Sequence, residues 1–361
     1  MKKKYIAVVL IFILTMMSAV SVSAADGERP NIKKVTVGVC SKNGFAYKSA
    51  NGSEEGYAVD YLNQLGAECG YDIDIVLIEN GKLFDNLVFD RCDFVLTCDN
   101  PDKYTEYIST QNSLMKEYDV LYVREDVDVC YDEYDKFDGM TIGLCRNSIA
   151  ESELKRYSEE NNFTYQAKYY EDEEEMLLAI NSGDVDAAVF GSLVYIDKDV
   201  KNVSVIGDHD YRLVAKKDMQ RDIDEFDYVI SKHMSENNSY INNLYNSLYR
   251  QSKAGYPALT RTEYDYVQEH PVVKVGYFGD SYPLQYTDDS GNFGGIVKRY
   301  FDFFSDYTGF KFEYYEYKDS DACRQDVIDG KIDMIALVPY YMDWAKKNSM
   351  VETNWFLQVP I

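Results

Sequence analysis

Short apolar blocks follow one another along the chain with two periodicities, which predict strands and helices in turn. Val35–Cys40, Ile73–Ile78 and Phe94–Cys98 are β-branched or apolar runs of strand length. Tyr57–Cys69 carries apolar residues at helical spacing, and Leu83–Phe89 predicts a short helix. Strands that are separated by single helices indicate a parallel sheet with right-handed crossovers.

The same order of elements begins again after a further strand at Val120–Val123. The predicted elements are a strand after Phe137-Asp138-Gly139, helices at Ser148–Asn161 and Glu173–Asn181, strands at Val185–Phe190 and Tyr211–Lys216, and a helix at Phe226–Tyr249. This second block predicts a second α/β lobe. We expect the binding site in the cleft between the lobes, at the carboxyl ends of the parallel strands.

The first block is also repeated much later in the chain. Val35-Thr36-Val37-Gly38-Val39 matches Val273-Lys274-Val275-Gly276-Tyr277, 238 residues further on. Asp93-Phe94-Val95 matches Asp333-Met334-Ile335, 240 residues further on. A repeat of this length predicts two domains of one type rather than a solenoid. Because the second copy stops at Ile361, we expect it to be truncated within its first lobe.

The segment between the two copies predicts a capped helix. Thr260 precedes Glu263 by three residues, which is the spacing of a capping box. Pro271 then stands directly before the first strand of the second copy.

The N-terminus has the pattern of a secretory signal. A basic start at Lys2–Lys4 is followed by an apolar run from Tyr5 to Val20 and by small residues at Val22-Ser23-Ala24. The alternative is an uncleaved signal anchor, although the run is short for a full membrane span. Either interpretation places the rest of the chain outside the cytoplasm.

The composition is strongly acidic, with 62 Asp and Glu against 37 Lys and Arg and a net charge of −25. Loss of Lys2–Lys4 with the signal would give 34 − 62 = −28. Such a surface repels nucleic-acid phosphates and anionic lipid, so we expect no nucleic-acid partner. Hydrophobic residues make up 46% of the chain, and 34 of them are Tyr. The chain can therefore bury a core, and we do not expect it to be disordered.

The order of motifs resembles the type II periplasmic-binding-protein fold, and solute-binding protein family 3 in particular. The second-lobe signature of the family resembles Phe137–Gly143 followed by Asn147-Ser148. Its small loop followed by Asp resembles Ser182–Ala188, and Lys216-Lys217-Asp218 resembles the end of its returning hinge strand. The resemblance implies an α/β, two-lobed clamp that closes on a small solute, with one complete copy and a truncated second copy.

The resemblance also implies the domain bounds. They are a signal peptide or signal anchor at 1–25, a first solute-binding domain at 33–252, a linker at 253–271 and the first lobe of a second domain at 272–361. In the first domain, one lobe comprises about 33–122 and 211–252, and the other comprises 123–210.

Two charged groups that grip an amino acid in the family have no counterpart here. The position of the Arg that binds a carboxylate resembles Tyr104 in the first copy and Trp344 in the second, and the position of the acid that binds an ammonium resembles Gly191. An ordinary α-amino acid is therefore not the expected ligand. Aromatic residues in these places suit a ring, a sugar face or an apolar group. The alternative is a degenerate domain kept for its shape.

The candidate ligand-binding residues follow from the strand ends and from the resemblance. They are Phe45, Tyr47, Thr97, Asp99, Tyr104, Arg146, Asn147 and Ser148 in the first copy, and Tyr282, Leu284, Tyr286, Tyr340 and Trp344 in the second. Arg146–Ser148 stand at a strand-to-helix start, where free N–H groups favour an anion, and Arg146 could replace the missing Arg. The alternatives are core packing for the aromatic residues and a solvated surface charge for Arg146.

Seven cysteines in an exported chain suggest disulfides. In the implied topology the candidate pairs are Cys40 with Cys98, Cys69 with Cys92, and Cys130 with Cys145, while Cys323 falls in the unfinished copy. Buried free thiols and other pairings stay open. The three His are scattered and no Cys pair has zinc-ribbon spacing, so we expect no metal site and no cofactor.

The function most consistent with these features is extracytoplasmic binding of a small solute. The linker resembles the joint of tandem solute-binding modules in membrane sensors of the histidine kinase or diguanylate cyclase type. The partners would then be a small solute, a membrane reached through a signal anchor or a missing C-terminal segment, and a second receptor copy. The alternative is the binding component of an ABC-type importer with a permease partner. We expect no enzyme, because no acid–base constellation is present.

Overall fold

The computed structural model describes residues 32–79, 81–98, 106–194, 196, 199–236, 256–338, 342–347 and 350–353. The predicted signal at 1–25 lies outside these residues. Within them, none of the helices is both long enough and apolar enough to cross a membrane.

The elements alternate as the hydrophobic pattern predicts. Through residue 236 they are β1 (Lys33–Cys40), β2 (Tyr47–Lys48), β3 (Glu54–Glu55), α1 (Tyr57–Cys69), β4 (Tyr71–Ile78), α2 (Leu83–Val88), β5 (Phe94–Thr97), β6 (Tyr107–Ser109), β7 (Met115–Arg124), α3 (Tyr134–Phe137), β8 (Met140–Cys145), α4 (Ala150–Asn161), β9 (Tyr165–Tyr170), α5 (Glu173–Ser182), β10 (Ala187–Gly191), β11 (Val200–Lys216) and α6 (Gln220–Glu236). From residue 261 they are α7 (Arg261–Glu269), β12 (Val272–Phe278), β13 (Asp280–Ser281), β14 (Gln285–Thr287), β15 (Phe293–Gly294), α8 (Ile296–Thr308), β16 (Lys311–Tyr317), α9 (Ser320–Ile328), β17 (Met334–Ile335) and α10 (Met342–Lys347).

The chain forms two compact units. The first contains the described residues of 1–41, 46–115 and 211–242, and the second contains those of 42–45, 116–210 and 243–361. The chain passes from one unit to the other within β7 and again within β11. The predicted domain bounds stay a prediction.

The first unit is built on a sheet in the order β4-β1-β5-β11. β1 pairs in parallel with β4, from Lys33 opposite Tyr71 to Cys40 opposite Ile78, and in parallel with β5. The last part of β11 is antiparallel to β5. The carboxyl ends of β1, β4 and β5 therefore lie at one edge of this sheet.

Helix α1 covers one face of that sheet, and its predicted bounds are confirmed. Its buried residues include Val59, Leu62 and Gly66, at the spacing of one helix face. A Cβ on Gly66 would lie 2.8 Å from the side chain of Ile73 on β4, so the glycine permits close packing of helix and strand. The helix ends at Gly70, whose φ of 78° is left-handed and whose N–H donates to Gly66 O.

The second unit contains a sheet in the order β7-β10-β8-β9, in which β10 is antiparallel to β7 and parallel to β8. Met176 and Ile180 of α5 pack in one apolar cluster of this unit, and Leu154 of α4 packs with Phe137 in another. The predicted helices at Ser148–Asn161 and Glu173–Asn181 are confirmed to within two residues.

Two strands are longer than the apolar pattern predicts. β7 begins at Met115 rather than Val120, and β11 begins at Val200 rather than Tyr211. Both extensions carry charged or polar residues, among them Glu117 and Asp119 on β7 and His209 on β11. Because these residues interrupt the apolar runs, the hydrophobic pattern does not predict the extensions. The edge strand β9 was not predicted, because its side chains are half-buried or exposed.

The predicted capping box at the start of α7 is confirmed. The side chain of Thr260 accepts a hydrogen bond from Glu263 N, and the Glu263 carboxylate accepts one from Thr260 N at 2.9 Å. The first helical residue, Arg261, forms ion pairs with Asp128 and Glu133, each at 2.9 Å. This helix is therefore fixed to the part of the second unit that precedes β8.

A further three-stranded parallel sheet follows α7, in the order β16-β12-β17. β12 pairs with β16 over seven residues, and α8 has thirteen residues like α1. Gly276 on β12 faces Cys323, with a Cβ at that position 2.7 Å from the sulfur. Gly38 on β1 faces Cys92 in the same manner, at 3.2 Å.

Candidate functional site

The strand-end residues of the first unit are only partly described. Thr97 is buried at the end of β5, opposite Arg212 of β11. Tyr47 is half-buried in β2. Asp99 and Tyr104, which complete the predicted site on this unit, lie outside the described residues. Their predicted roles stay predictions.

Phe45 was predicted to wall the pocket, yet its ring is fully buried. Its N–H donates to Lys42 O at 3.1 Å, which closes a turn. By its contacts the turn at 42–45 belongs to the second unit. The ring therefore packs within the structure, and its role against a ligand stays a prediction.

Arg146 and Asn147 are exposed beyond the end of β8, before α4 begins at Ala150. The Arg146 guanidinium is bound to Glu171 at 2.7 Å and lies 5.8 Å from the Tyr169 ring centre. An incoming carboxylate would have to compete with Glu171 for this guanidinium. Both partners are more than half exposed, so the ion pair is weak.

Of the predicted residues at this helix start, Ser148 most favours a ligand. Its Oγ is buried and has no hydrogen-bond partner within the described part of the chain. A buried hydroxyl without a partner is costly and would favour a polar group brought by a ligand or by water.

The second unit contains a cluster of charged residues that the sequence did not reveal. Glu117 on β7 is 2% exposed and forms a 3.0 Å ion pair with Lys42. Its carboxylate occupies the space beside Gly191 at the end of β10. A Cβ on Gly191 would lie 1.9 Å from Glu117 Oε1. Gly191 is therefore covered by a carboxylate from the neighbouring strand.

Glu173 at the start of α5 belongs to the same electrostatic cluster. Burial raises the pKa of the Glu173 carboxyl, the Lys42 ammonium opposes this rise, and the charge of Glu117 adds to it. The cluster thus holds two carboxylates against one ammonium in a largely desolvated place.

Asp119, two residues beyond Glu117 on the same face of β7, is paired with His209 of β11. Both side chains are buried. Burial by itself lowers the pKa of His209, but the hydrogen bond and the charge of Asp119 outweigh it, so that the pKa is raised. The imidazolium form is favoured at this position.

These residues stand out only once their burial is known, because residues 115–119 show no alternation of apolar and polar types in the sequence. Along β7 the burial alternates, with Met115, Glu117 and Asp119 buried and Lys116 and Tyr118 exposed. Acids in the buried phase of an alternating strand predict charged partners in the interior.

Three of the five residues predicted for the second copy, Tyr282, Leu284 and Tyr286, lie in β14 or between β13 and β14. Tyr282 is 79% exposed, and its ring lies 5.3 Å from that of Tyr286. Leu284 is half-buried. Tyr340 lies outside the described residues, and Trp344 lies in α10, where its side chain is not described. The structure therefore brings together Tyr282 and Tyr286 from this predicted set.

All seven cysteines are described, and the structure contains no disulfide bond among them. Cys40 packs in the same apolar cluster as Cys92. The Cys69 thiol lies 3.8 Å from Glu225 O on α6, and burial raises the pKa of this thiol to about 12. The predicted pairs stay a prediction, which intact-mass measurement of the secreted chain with and without reductant would test.

No group of three or more His, Cys, Asp or Glu in the described residues is arranged to hold a metal ion. The raised pKa values of Cys69, Cys92, Cys130 and Cys323, for which burial is the largest cause, also make these thiols weak nucleophiles.

Comparison with known proteins bears on the fold. No family model and no curated protein matches the chain. Among solved structures, the probable amino-acid ABC transporter extracellular-binding protein from Bacillus subtilis is similar to 60% of this chain over 98% of its own length, with a TM-score of 0.53 and 16% identity. The fold is that of the type II periplasmic binding proteins.

Two further structures agree with this assignment. An arginine transport periplasmic binding protein from Legionella pneumophila matches 60% of this chain over its whole length, with a TM-score of 0.50 and 18% identity. A putative L-cystine ABC transporter protein from Listeria monocytogenes matches 60% of this chain over 95% of its own, with a TM-score of 0.50 and 14% identity. The predicted α/β fold class is thereby confirmed.

Proposed function

We propose that the chain binds a small solute outside the cytoplasm and is the ligand-binding ectodomain of a membrane signalling receptor. The observation that carries the binding role is the likeness in fold to extracellular and periplasmic binding proteins over 98% and 100% of their lengths. In such a domain the ligand binds one conformation more tightly and shifts the population towards it. Clamp closure on the solute would be the primary event.

The receptor role depends on the second copy of the domain. Its support is the repeated order of three parallel strands, the thirteen-residue helices α1 and α8, and the strand glycines Gly38 and Gly276 that face a cysteine. Tandem modules of this kind resemble sensor ectodomains, in which closure on the ligand would be passed on to the membrane. A receptor dimer would be the functional form.

We expect the ligand to differ from an ordinary α-amino acid. Gly191 offers no side chain to an ammonium, and Glu117, which covers it, is paired with Lys42. A thermal-shift screen of the chain without 1–25 against amino acids, sugars and aromatic acids would test this, because binding raises the melting temperature. Strong stabilisation by a plain α-amino acid would contradict the ligand proposal, and no stabilisation by any compound would favour a degenerate domain.

An importer component is the second candidate, favoured by the names of the transporter proteins that share the fold. The gene beyond codon 361 distinguishes the two. A membrane span followed by a kinase or cyclase domain supports the receptor. A stop codon with an adjoining permease and ATPase supports the importer.

The proposed location outside the cytoplasm has its own test. Cells that express the intact chain should expose it to protease added from outside, and N-terminal sequencing should show whether 1–25 is removed or retained as an anchor. Protection of the chain in intact cells, with digestion only after lysis, would contradict the location.

A further inference from the structure

The turn at residues 42–45 has an unusual place in the chain. Residues up to Ser41 and from Ala46 onward belong to the first unit, whereas Lys42–Phe45 belong by their contacts to the second. The turn is closed by the hydrogen bond from Phe45 N to Lys42 O and passes through Gly44, whose φ is 78°.

Two side chains fasten the turn in the second unit. The Phe45 ring is fully buried, and the Lys42 ammonium forms its ion pair with the buried carboxylate of Glu117. The same ammonium lies 5.8 Å from the centre of the Phe45 ring. The ion pair, the cation–π contact and the buried ring therefore all hold this short turn in the second unit.

The position of the Glu117 carboxylate that binds Lys42 depends on Gly191. The Glu117 carboxylate lies where the first side-chain atom of any other residue at 191 would stand, with Cδ 2.5 Å and Cγ 3.2 Å from that point. Any side chain at 191 would displace the carboxylate and with it the partner of Lys42.

We propose that residues 42–45 form a strap, fastened in the second unit by the Lys42–Glu117 ion pair in the space left by Gly191, and released when this ion pair opens. The fastened and the released turn constitute a two-state element built into the chain. This inference concerns the strap alone and holds whether or not a solute is bound.

Hydrogen exchange of the whole chain, followed by mass spectrometry, tests the proposal. In Lys42→Met, which removes the charge at similar length, amides of residues 43–46 should exchange at least about tenfold faster than in the wild type, while amides of β12 and β16 keep their rates. Lys116→Met is the matched control. Lys116 is the neighbour of Glu117 on β7, and its ion pairs with Asp208 and Asp210 are exposed. It should leave the strap unchanged.

Three further variants keep the test decisive if Lys42→Met folds poorly. Glu117→Gln and Gly191→Ala should release the strap as Lys42→Met does, and Lys42→Arg, which keeps the charge, should hold it. Equal exchange of 43–46 in the wild type and Glu117→Gln would overturn the proposal. So would a uniform rise across the second unit in place of a local one.

Discussion

The carboxylate of Asp93 accepts a hydrogen bond from Thr36 N at 2.8 Å, while Asp93 N donates to Thr36 O at 3.0 Å. One residue thus joins the start of β5 to β1 through both its side chain and its backbone. The same arrangement joins Asp186 to Thr141 in the second unit and Asp333 to Lys274 beside β12. At all three places a short loop ends in an Asp that joins the following strand to its neighbour in the sheet.

This arrangement predicts a loss of stability in Asp93→Ala and a similar loss in Asp333→Ala. Each removes one acceptor of a backbone N–H, and we expect about 1 kcal/mol less free energy of unfolding for each. Urea denaturation of the whole chain is the measurement. Asp74→Ala, a change of an exposed Asp on β4 in the same sheet as Asp93, is the control and should lie within about 0.5 kcal/mol of the wild type.

The strand glycines give a second prediction. A Cβ on Gly276 would lie 2.7 Å from both Cys323 Sγ and Ile332 Cδ1, so Gly276→Ala should overpack the sheet and cost about 1–3 kcal/mol. Removal of the sulfur makes room for the new methyl group. The double variant Gly276→Ala/Cys323→Ala should therefore lose less stability than the sum of the two single losses. Additive losses would show that the sulfur does not limit this site.

Much of the fold was predictable because its signals are local. The helix at Tyr57–Cys69 and the capping box of Thr260 and Glu263 rest on residues a few positions apart, and both are confirmed. The three loops that end in Asp93, Asp186 and Asp333 lie just before the strands β5, β10 and β17. Parallel pairing then follows from the alternation of strands and helices.

The site was far less predictable, because its contacts join distant parts of the chain. Lys42 and Glu117 are 75 residues apart, and the residues around each of them do not indicate that the two side chains pair. Phe45 shows the converse difficulty. Its place after a strand suits a pocket wall and a core residue equally, and the local sequence does not distinguish the two.

The ion pairs of Arg261 predict a pH dependence of stability. Hydrogen bonding from Arg261 lowers the pKa of both Glu133 and Asp128 below their ordinary values of 4.5 and 3.8. A carboxyl with a lowered pKa stabilises the fold above its ordinary pKa, and this contribution is lost as the pH falls through the lowered value. Arg261→Met should therefore be less stable than the wild type at pH 7, with a difference that narrows as the pH falls below about 4.

Urea midpoints of both proteins between pH 7 and the onset of acid unfolding would measure this narrowing. Arg156→Met is the matched control, since Arg156 pairs with Glu153 and Glu160 of its own helix at the surface. It should lose less stability at pH 7, because such pairs are well solvated. A constant difference between Arg261→Met and the wild type at all pH values would contradict the prediction.

The buried pair of His209 and Asp119 predicts the opposite dependence. Asp119 raises the pKa of His209 above its ordinary value of 6.5 despite the effect of burial. A histidine with a raised pKa stabilises the fold fully below 6.5, and the contribution is lost as the pH rises through the raised value. Part of the wild-type stability should thus be lost as the pH rises above 6.5, and His209→Gln should lack this decline.

The chain has three histidines, so proton NMR titration of the folded protein can assign each resonance through a single variant. We expect one resonance, absent in His209→Gln, to titrate above 6.5, and urea midpoints to fall over the same range in the wild type. His270→Gln, a change of an exposed histidine in the same unit, should keep that decline. Titration of the His209 resonance below its ordinary value would mean that burial outweighs Asp119, and the decline in stability above pH 6.5 would then be absent.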